Sequence, residues 1–154
     1  MKRKILFVIL VLFLITIPVS AQEKVPTVVP IYVCNYEIKN RLQSEDFLYP
    51  VYRVVDGRVP ITNSIKALLE MEFTSLEKDL GFTSEFTDER AKNVTLDGVD
   101  LREGKLILWM SDPDFFTSGG SKRVTVLKKQ IEATALQFDV VDQVVFVPDH
   151  LFEP

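Results

Sequence analysis

The stretch SGGSKRVTVLKKQIEATALQFDVVDQVVFVPD, residues 118–149, contains a glycine pair, a long helical pattern and a strand in succession. Its apolar residues recur at steps of three and four, which predicts a helix with one buried face. The residues of that face are Val124, Leu127, Ile131, Ala135 and Phe138, with Thr134 at its edge. The valine-rich segment VVDQVVFV that follows predicts a strand, which Pro148 ends.

The opposite face of this helix combines charged, polar and apolar residues. It carries Gln130 and a candidate interaction face made of Lys122, Val126, Lys129, Ala133 and Leu136. Apolar side chains on a nominally solvent-exposed face can mark a contact surface for another protein. The alternative is that they are scattered exposed apolar residues, which are common on protein surfaces.

The glycine pair, Gly119 and Gly120, is interpreted as a structural turn into the helix, with Ser118 or Ser121 as the cap. One or both glycines are expected to need a positive φ. The alternative is an anion site, in which helix-start amides act together with the exposed cations of Lys122 and Arg123. A nucleotide phosphate loop is excluded, because the glycines are adjacent and Arg123 stands where Ser or Thr is required.

The residues upstream predict the remaining elements. TVVPIYVCNYEI (27–38) and FLYPVYRVV (47–55) are typical of strands, with a polar connection at 40–46. A helix follows Pro60, capped by Thr62 or Asn63, and ends within FTSLEKDLGF (73–82), where Gly81 can adopt a left-handed stop. VTLDGVDL and KLILWM alternate as a hairpin. The order β-β-α-β-β-α-β predicts one α/β (α+β) domain, a mixed β-sheet with two helices packed on one face.

These segments, in this order, carry a resemblance to a known family. LYPVYRVV, SIKALLE with EKDLGFTS, VTLDGVDLREGKLILWMSDPDF and residues 118–149 resemble the GerMN domain of bacterial sporulation and spore-germination proteins. The resemblance covers about residues 27–149 and departs at Glu72-Phe73, where the family often has Gly-Pro, and at EFTDER, which replaces a usual proline. It implies a small extracytoplasmic α/β module with a role in assembly and no catalytic residues.

The first residues predict export. Three basic residues precede an apolar run from Ile5 to Ile17, and Val19-Ser20-Ala21 offers small residues to a signal peptidase. We therefore expect a signal peptide at 1–21, a mature chain from Gln22, a linker at 22–26, a domain at 27–150 and a tail at 151–154. The alternative is an uncleaved anchor, which would be the chain's sole contact with a membrane.

Charge and residue types disfavour several functions. The mature chain carries about seven net negative charges, which disfavours nucleic acid as a partner. Cys34, the sole cysteine, ends an apolar strand and is expected to be buried. Asp112 and Asp114 lack a third metal ligand, which disfavours a metal site. The lone histidine, His150, lies near the chain end, which disfavours acid–base or nucleophilic catalysis.

The sequence therefore predicts a secreted, non-catalytic binding or assembly module of the bacterial cell envelope, without a metal or cofactor. Its expected partner is an envelope protein or a cell-wall component. The alternative is a small envelope enzyme or anion-binding protein that uses the turn at Gly119 and Gly120.

Overall fold

The structure, a computed structural model, describes residues 23–153. The predicted signal peptide at 1–21 lies outside the described residues. The elements are β1 (Pro26–Cys34), α1 (Tyr36–Leu42), β2 (Leu48–Asp56), α2 (Pro60–Leu69), α3 (Ser75–Asp79), β3 (Thr95–Arg102), β4 (Lys105–Ser111), α4 (Ser121–Leu136) and β5 (Gln143–Val147). Two short 3-10 turns, Glu85–Thr87 and Glu89–Asn93, lead from α3 to β3. Over residues 23–153, no helix has both the length and the apolar character needed to cross a membrane.

The strands form two sheets. β1 and β2 pair antiparallel along their whole length, while β4 pairs antiparallel with β3 and parallel with β5. The predicted fold class, a single α/β (α+β) domain, is confirmed, but the expected single mixed sheet is divided. The reason lies at the outer edge of β1, where side chains of α4 replace a neighbouring strand. Thr134 accepts a hydrogen bond from the Tyr32 amide at 3.1 Å, and Gln137 donates to the Pro30 carbonyl at 2.7 Å.

One core joins both sheets to α2 and α4. The inward residues of β1, namely Val29, Ile31 and Val33, are buried with the apolar residues of both helices. The predicted buried face of α4 is confirmed for Val124, Leu127, Ile131 and Ala135. The packed part of the chain continues beyond residue 150, because Leu151 and Phe152 are buried and the Phe152 ring meets Phe146 edge-on at 4.8 Å between centroids.

The helices before β3 differ from the prediction. α1 occupies the end of the segment predicted as the first strand, 27–38, and the start of the predicted polar connection, because β1 ends at Cys34. α2 begins at Pro60, without a side-chain cap from Thr62 or Asn63, and ends at Leu69. A separate helix, α3, then begins with a capping box between Thr74 and Glu77. Gly81 is left-handed as predicted, with a φ of 80°, but it follows α3 rather than α2.

Candidate functional site

Two adjoining hollows, of about 620 and about 670 Å³, lie between α1 and the first half of α4. They share Tyr36, Ser121, Lys122 and Val126. We call them together the α1–α4 groove. The first hollow is further lined by Lys39 and Phe47, and the second by Cys34, Glu85 and Arg123.

α1 supplies one wall of the groove, and Asn35 fixes where that helix begins. The Asn35 side chain accepts a hydrogen bond from the Ile38 amide and donates one to the Leu80 carbonyl, both at 2.8 Å. Asn35 is fully buried, so these bonds hold the start of α1 against the loop after α3. Tyr36, Lys39 and Asn40 are spaced three and four residues apart and therefore line the groove from one face of the helix.

Two stacked aromatic rings form part of the groove. The rings of Tyr36 and Phe47 have centroids 6.1 Å apart and planes inclined by 10°. The ammonium group of Lys129 lies 5.5 Å from the centroid of Phe47, within the range of a cation–π interaction. Tyr36 keeps 43% of its surface exposed, so an aromatic face remains accessible beside a cation.

Arg123 contributes to the turn before α4 rather than to a free cationic surface. Its guanidinium donates to the carbonyls of Phe116 and Ser118, at 2.6 and 3.2 Å, and it pairs with Glu85 at 3.1 Å. It also lies over the Phe116 ring, 4.3 Å from the centroid. Its Nη2 is buried without a hydrogen-bond partner among the described residues. The expectation that Arg123 is an exposed charge is therefore wrong.

Cys34 lies at the base of the groove and is buried, as predicted. Burial raises the pKa of the Cys34 thiol to about 11. Burial, followed by the nearby Cys34, also raises the pKa of Tyr36. At neutral pH both groups are protonated, so Cys34 lacks the thiolate that a nucleophile requires.

The predicted interaction face divides into three parts. Lys122 and Lys129 are exposed beside the groove, whereas Val126 is buried in its floor. Ala133 is half-buried, and Leu136 is exposed at the far end of α4, outside the groove. Val126 was expected to be exposed, but it is buried at the bottom of the groove.

Gln130 was likewise predicted on the solvent-exposed face of α4. It is fully buried, and its side-chain oxygen accepts a hydrogen bond from Ser84 at 2.8 Å. The chain around Ser84 thus covers α4 on the side that the sequence assigned to solvent. The helix is packed on more than one face, which a single apolar stripe does not indicate.

The two glycines of the turn before α4 differ in backbone conformation. Gly119 has a φ of 138°, while Gly120 has a φ of −63° and is the N-cap of α4 without a side-chain hydrogen bond. Neither Ser118 nor Ser121 caps the helix, which corrects the prediction. Of the two glycines, Gly119 alone has a backbone conformation that requires glycine.

Asp112 and Asp114, the acidic pair before this turn, both accept hydrogen bonds from other groups of the protein. Asp112 accepts hydrogen bonds from the amides of Phe116 and Thr117, at 2.8 and 2.7 Å, and from the Thr117 hydroxyl at 2.7 Å. Asp114 accepts a hydrogen bond from Asn93. Over residues 23–153, no three His, Cys, Asp or Glu side chains are grouped as a metal site would require.

A larger hollow, of about 960 Å³, lies between α2, α3 and β3. Its rim carries charges of both signs, and one of its lysines, Lys92, is paired with Glu89 at 2.7 Å. Among residues 23–153, four acidic residues line this hollow (Glu70, Glu72, Asp88 and Glu89), whereas the α1–α4 groove is lined by one, Glu85, which is paired with Arg123. We therefore take the groove as the candidate functional site.

The fold is that of a GerMN-like domain. In the comparison with solved structures, the chain is similar to tandem GerMN domains of the sporulation protein GerM from Bacillus subtilis, with a TM-score of 0.52 and 17% sequence identity. The similarity covers 81% of this chain and 39% of that chain. No family model matches the chain, and no curated protein matches it. The predicted GerMN-like fold is therefore confirmed.

Sequence reasoning missed the half of the groove that precedes β2. Tyr36 and Lys39 were not identified as site residues, because α1 has no buried residue and so gives no apolar periodicity. Phe47 was assigned to the second predicted strand. A local signal was present. Asn35 is a favoured N-cap, Glu37 lies in the first turn of the helix, and Lys39 and Arg41 lie in the last turn.

Proposed function

We propose that this protein is an extracytoplasmic, non-catalytic binding module that takes part in a protein assembly of the bacterial cell envelope. The observation that carries the proposal is the α1–α4 groove, which presents Tyr36 and two exposed lysines beside a buried valine. Partly exposed aromatic residues on an otherwise polar surface are characteristic of protein interfaces. A solved structure with this fold belongs to a sporulation protein, and the assembly role is what the family resemblance implies.

A catalytic role has less support from the site. Among residues 23–153, the sole cysteine is buried with a raised pKa, and His150 is exposed outside the groove. The alternative, an enzyme or anion-binding protein built on the turn at Gly119 and Gly120, would use Lys122 and Arg123. Arg123 already binds two carbonyls and Glu85, which leaves Lys122 as the remaining cation of that pair.

The extracytoplasmic location rests on the predicted signal peptide at residues 1–21. A partner in the envelope follows from that location, since an exported domain meets other envelope proteins and the cell wall. No nucleic-acid partner is proposed, because the chain is acidic.

Site-directed photocrosslinking in the native host tests the proposal. A photoreactive phenylalanine analogue replaces Tyr36 in the groove, and the same analogue replaces Tyr52, which is 63% exposed on the outer face of the β1–β2 sheet, in a matched control. We expect the Tyr36 position to yield discrete adducts with one or a few envelope proteins and the Tyr52 position to yield none of these. A lack of protein adducts at Tyr36, or the same adducts at Tyr52, would contradict the proposal.

A further inference from the structure

We infer that the segment bound in the α1–α4 groove is an acidic peptide stretch that carries an apolar or aromatic side chain. The inference rests on the proposed function and names the chemistry of the partner. It is carried by two properties of the groove, its charge and its apolar floor.

The charge of the groove differs in sign from that of the whole chain. The chain has a formal net charge of −4. Around the groove, Lys39, Lys122 and Lys129 have no carboxylate within 4.0 Å among residues 23–153. Glu85, the acidic residue that lines the groove, is already paired with Arg123. The groove therefore has an excess of positive charge, which favours an anionic partner.

The carboxylates on the two flanking helices are directed toward other residues. On α1, Glu37 is turned toward Gly81, where a Cβ would come within 2.8 Å of the Glu37 carboxyl carbon. On α4, Glu132 lies 3.9 Å from Lys128, which is outside the groove lining. These acidic residues on the flanking helices are thus engaged elsewhere.

The apolar surface of the groove favours a peptide over an anionic polymer. Phe47 and the ring of Tyr36 offer apolar surface near the lysines, above the buried Val126. An apolar side chain that covers such a surface stabilises the complex, because apolar area is removed from water. A polyphosphate backbone has no apolar group that could do so. An acidic peptide with an aromatic or aliphatic residue satisfies both features of the groove.

A titration followed by amide chemical shifts tests the inference on the purified protein. The first probe is a short peptide of aspartates flanking one phenylalanine. The second is its twin with asparagines in place of the aspartates, and the third is inorganic polyphosphate. We expect the acidic peptide to shift groove amides, such as those of Tyr36 and Val126, with an affinity about fivefold or more above that of the asparagine twin. The difference should shrink as salt is raised.

Charge reversal provides the second measurement. The double variant K122E/K129E should lose the preference for the acidic peptide, while K105E, the same change on β4 outside the groove, should keep it. K122Q/K129Q repeats the test without adding negative charge, and thermal melting of each variant verifies that it is folded.

Three outcomes would overturn the inference: equal binding of the acidic peptide and its twin, polyphosphate binding as tightly as the acidic peptide, or no groove shifts at millimolar peptide. The Tyr36 crosslinking experiment judges the proposed function separately. Protein adducts at Tyr36 whose crosslinked segment is not acidic would leave that function standing and reject the acidic partner.

Discussion

Single residues around the turn before α4 decide how that helix begins. Gly119 has a φ that side chains rarely adopt, whereas Gly120 has an ordinary φ and open space, free of heavy atoms to 4 Å, where a Cβ would stand. The same substitution at the two adjacent positions should therefore have opposite effects. Both changes to aspartate add one negative charge beside Lys122, so charge alone does not explain a difference between them.

We expect Gly119→Asp to lower the free energy of unfolding by about 1–3 kcal/mol, because the backbone there is strained for any residue with a Cβ. Gly120→Asp should raise it by a few tenths to about 1 kcal/mol, because an aspartate at the N-cap can accept a hydrogen bond from the first turn of α4. Urea unfolding of both variants checks the pair. Equal destabilisation by the two changes would show that the turn is not built as described.

A second prediction concerns the reactivity of the Cys34 thiol. Because Cys34 is 3% exposed and its pKa is raised from 9.0 to about 11, its thiolate fraction at neutral pH is about a hundredfold below that of a free thiol. Labelling by a thiol reagent should therefore be at least about a hundredfold slower in the native protein than in denaturant. A cysteine introduced at Ser121 in a Cys34→Ser background serves as an exposed control. Rapid native labelling of Cys34 would contradict its burial.

Among the elements, α3 depends on a charged network that links it to β2. The Glu77 carboxylate accepts hydrogen bonds from the Arg53 guanidinium, at 2.7 and 2.9 Å, and from the Thr74 amide at 2.8 Å. These bonds, with that of Arg53 the largest contribution, lower the pKa of Glu77 below its ordinary value of 4.5. Since Arg53 also donates to the Glu72 carbonyl at 2.9 Å, the network fixes the chain between α2 and α3.

Glu77→Gln should keep the capping geometry and lose the charge, so we expect a loss of about 1 kcal/mol at pH 7. A carboxylate whose pKa falls on folding stabilises the folded state above its unfolded pKa, and this contribution is lost as pH falls through the lower, folded pKa. The wild-type protein should therefore lose stability below about pH 4.5, and the variant should lose less over that range. Urea unfolding between pH 7 and about pH 3 measures this. Glu72→Gln, which removes one carboxylate at an exposed neighbour, is the matched control.

Apolar periodicity in the sequence was sufficient to predict some helices and strands and not others. The apolar stripe of α4 and the β3–β4 hairpin follow from apolar periodicity, because their apolar side chains pack into the main core. The same reasoning misplaced Val126, which is buried at the bottom of the groove, and Gln130, which is covered by the chain around Ser84. It also extended α2 too far, because Leu76 continues the helical spacing but lies exposed on α3. Tertiary packing, rather than local pattern, settles these positions.

For the whole molecule, the expected mature form can be tested directly. If the signal peptide prediction is right, N-terminal sequencing of the protein from its host should begin at Gln22, because Val19-Ser20-Ala21 places small residues before that point. A variant with Ala21→Lys should accumulate uncleaved. Recovery of wild-type protein with Met1 from the membrane fraction would instead establish an anchor.

The resemblance predicted the fold, while the site required the structure. The order of the segments from LYPVYRVV to residue 149 indicated a GerMN-like domain before any contact was known. The groove could not be derived in the same way, because its two walls are separated by about eighty residues in the chain and one wall is a helix without an apolar stripe. On α4, the predicted residues Lys122 and Val126 line the groove and Lys129 lies beside it, whereas Tyr36 and Phe47 line the other side.

The burial of Leu151 and Phe152 has a consequence for how the chain is made. β5 pairs in parallel with β4, and its Phe146 is covered by residues that follow it in the sequence. As the chain emerges, from the ribosome or from the export machinery, the antiparallel pairs β1–β2 and β3–β4 can form first, since their partners are near in sequence. Closure of the last strand must wait until the residues after β5 have also emerged. A stalled or shortened product would therefore expose the inner faces of β4 and α4 to chaperones and proteases.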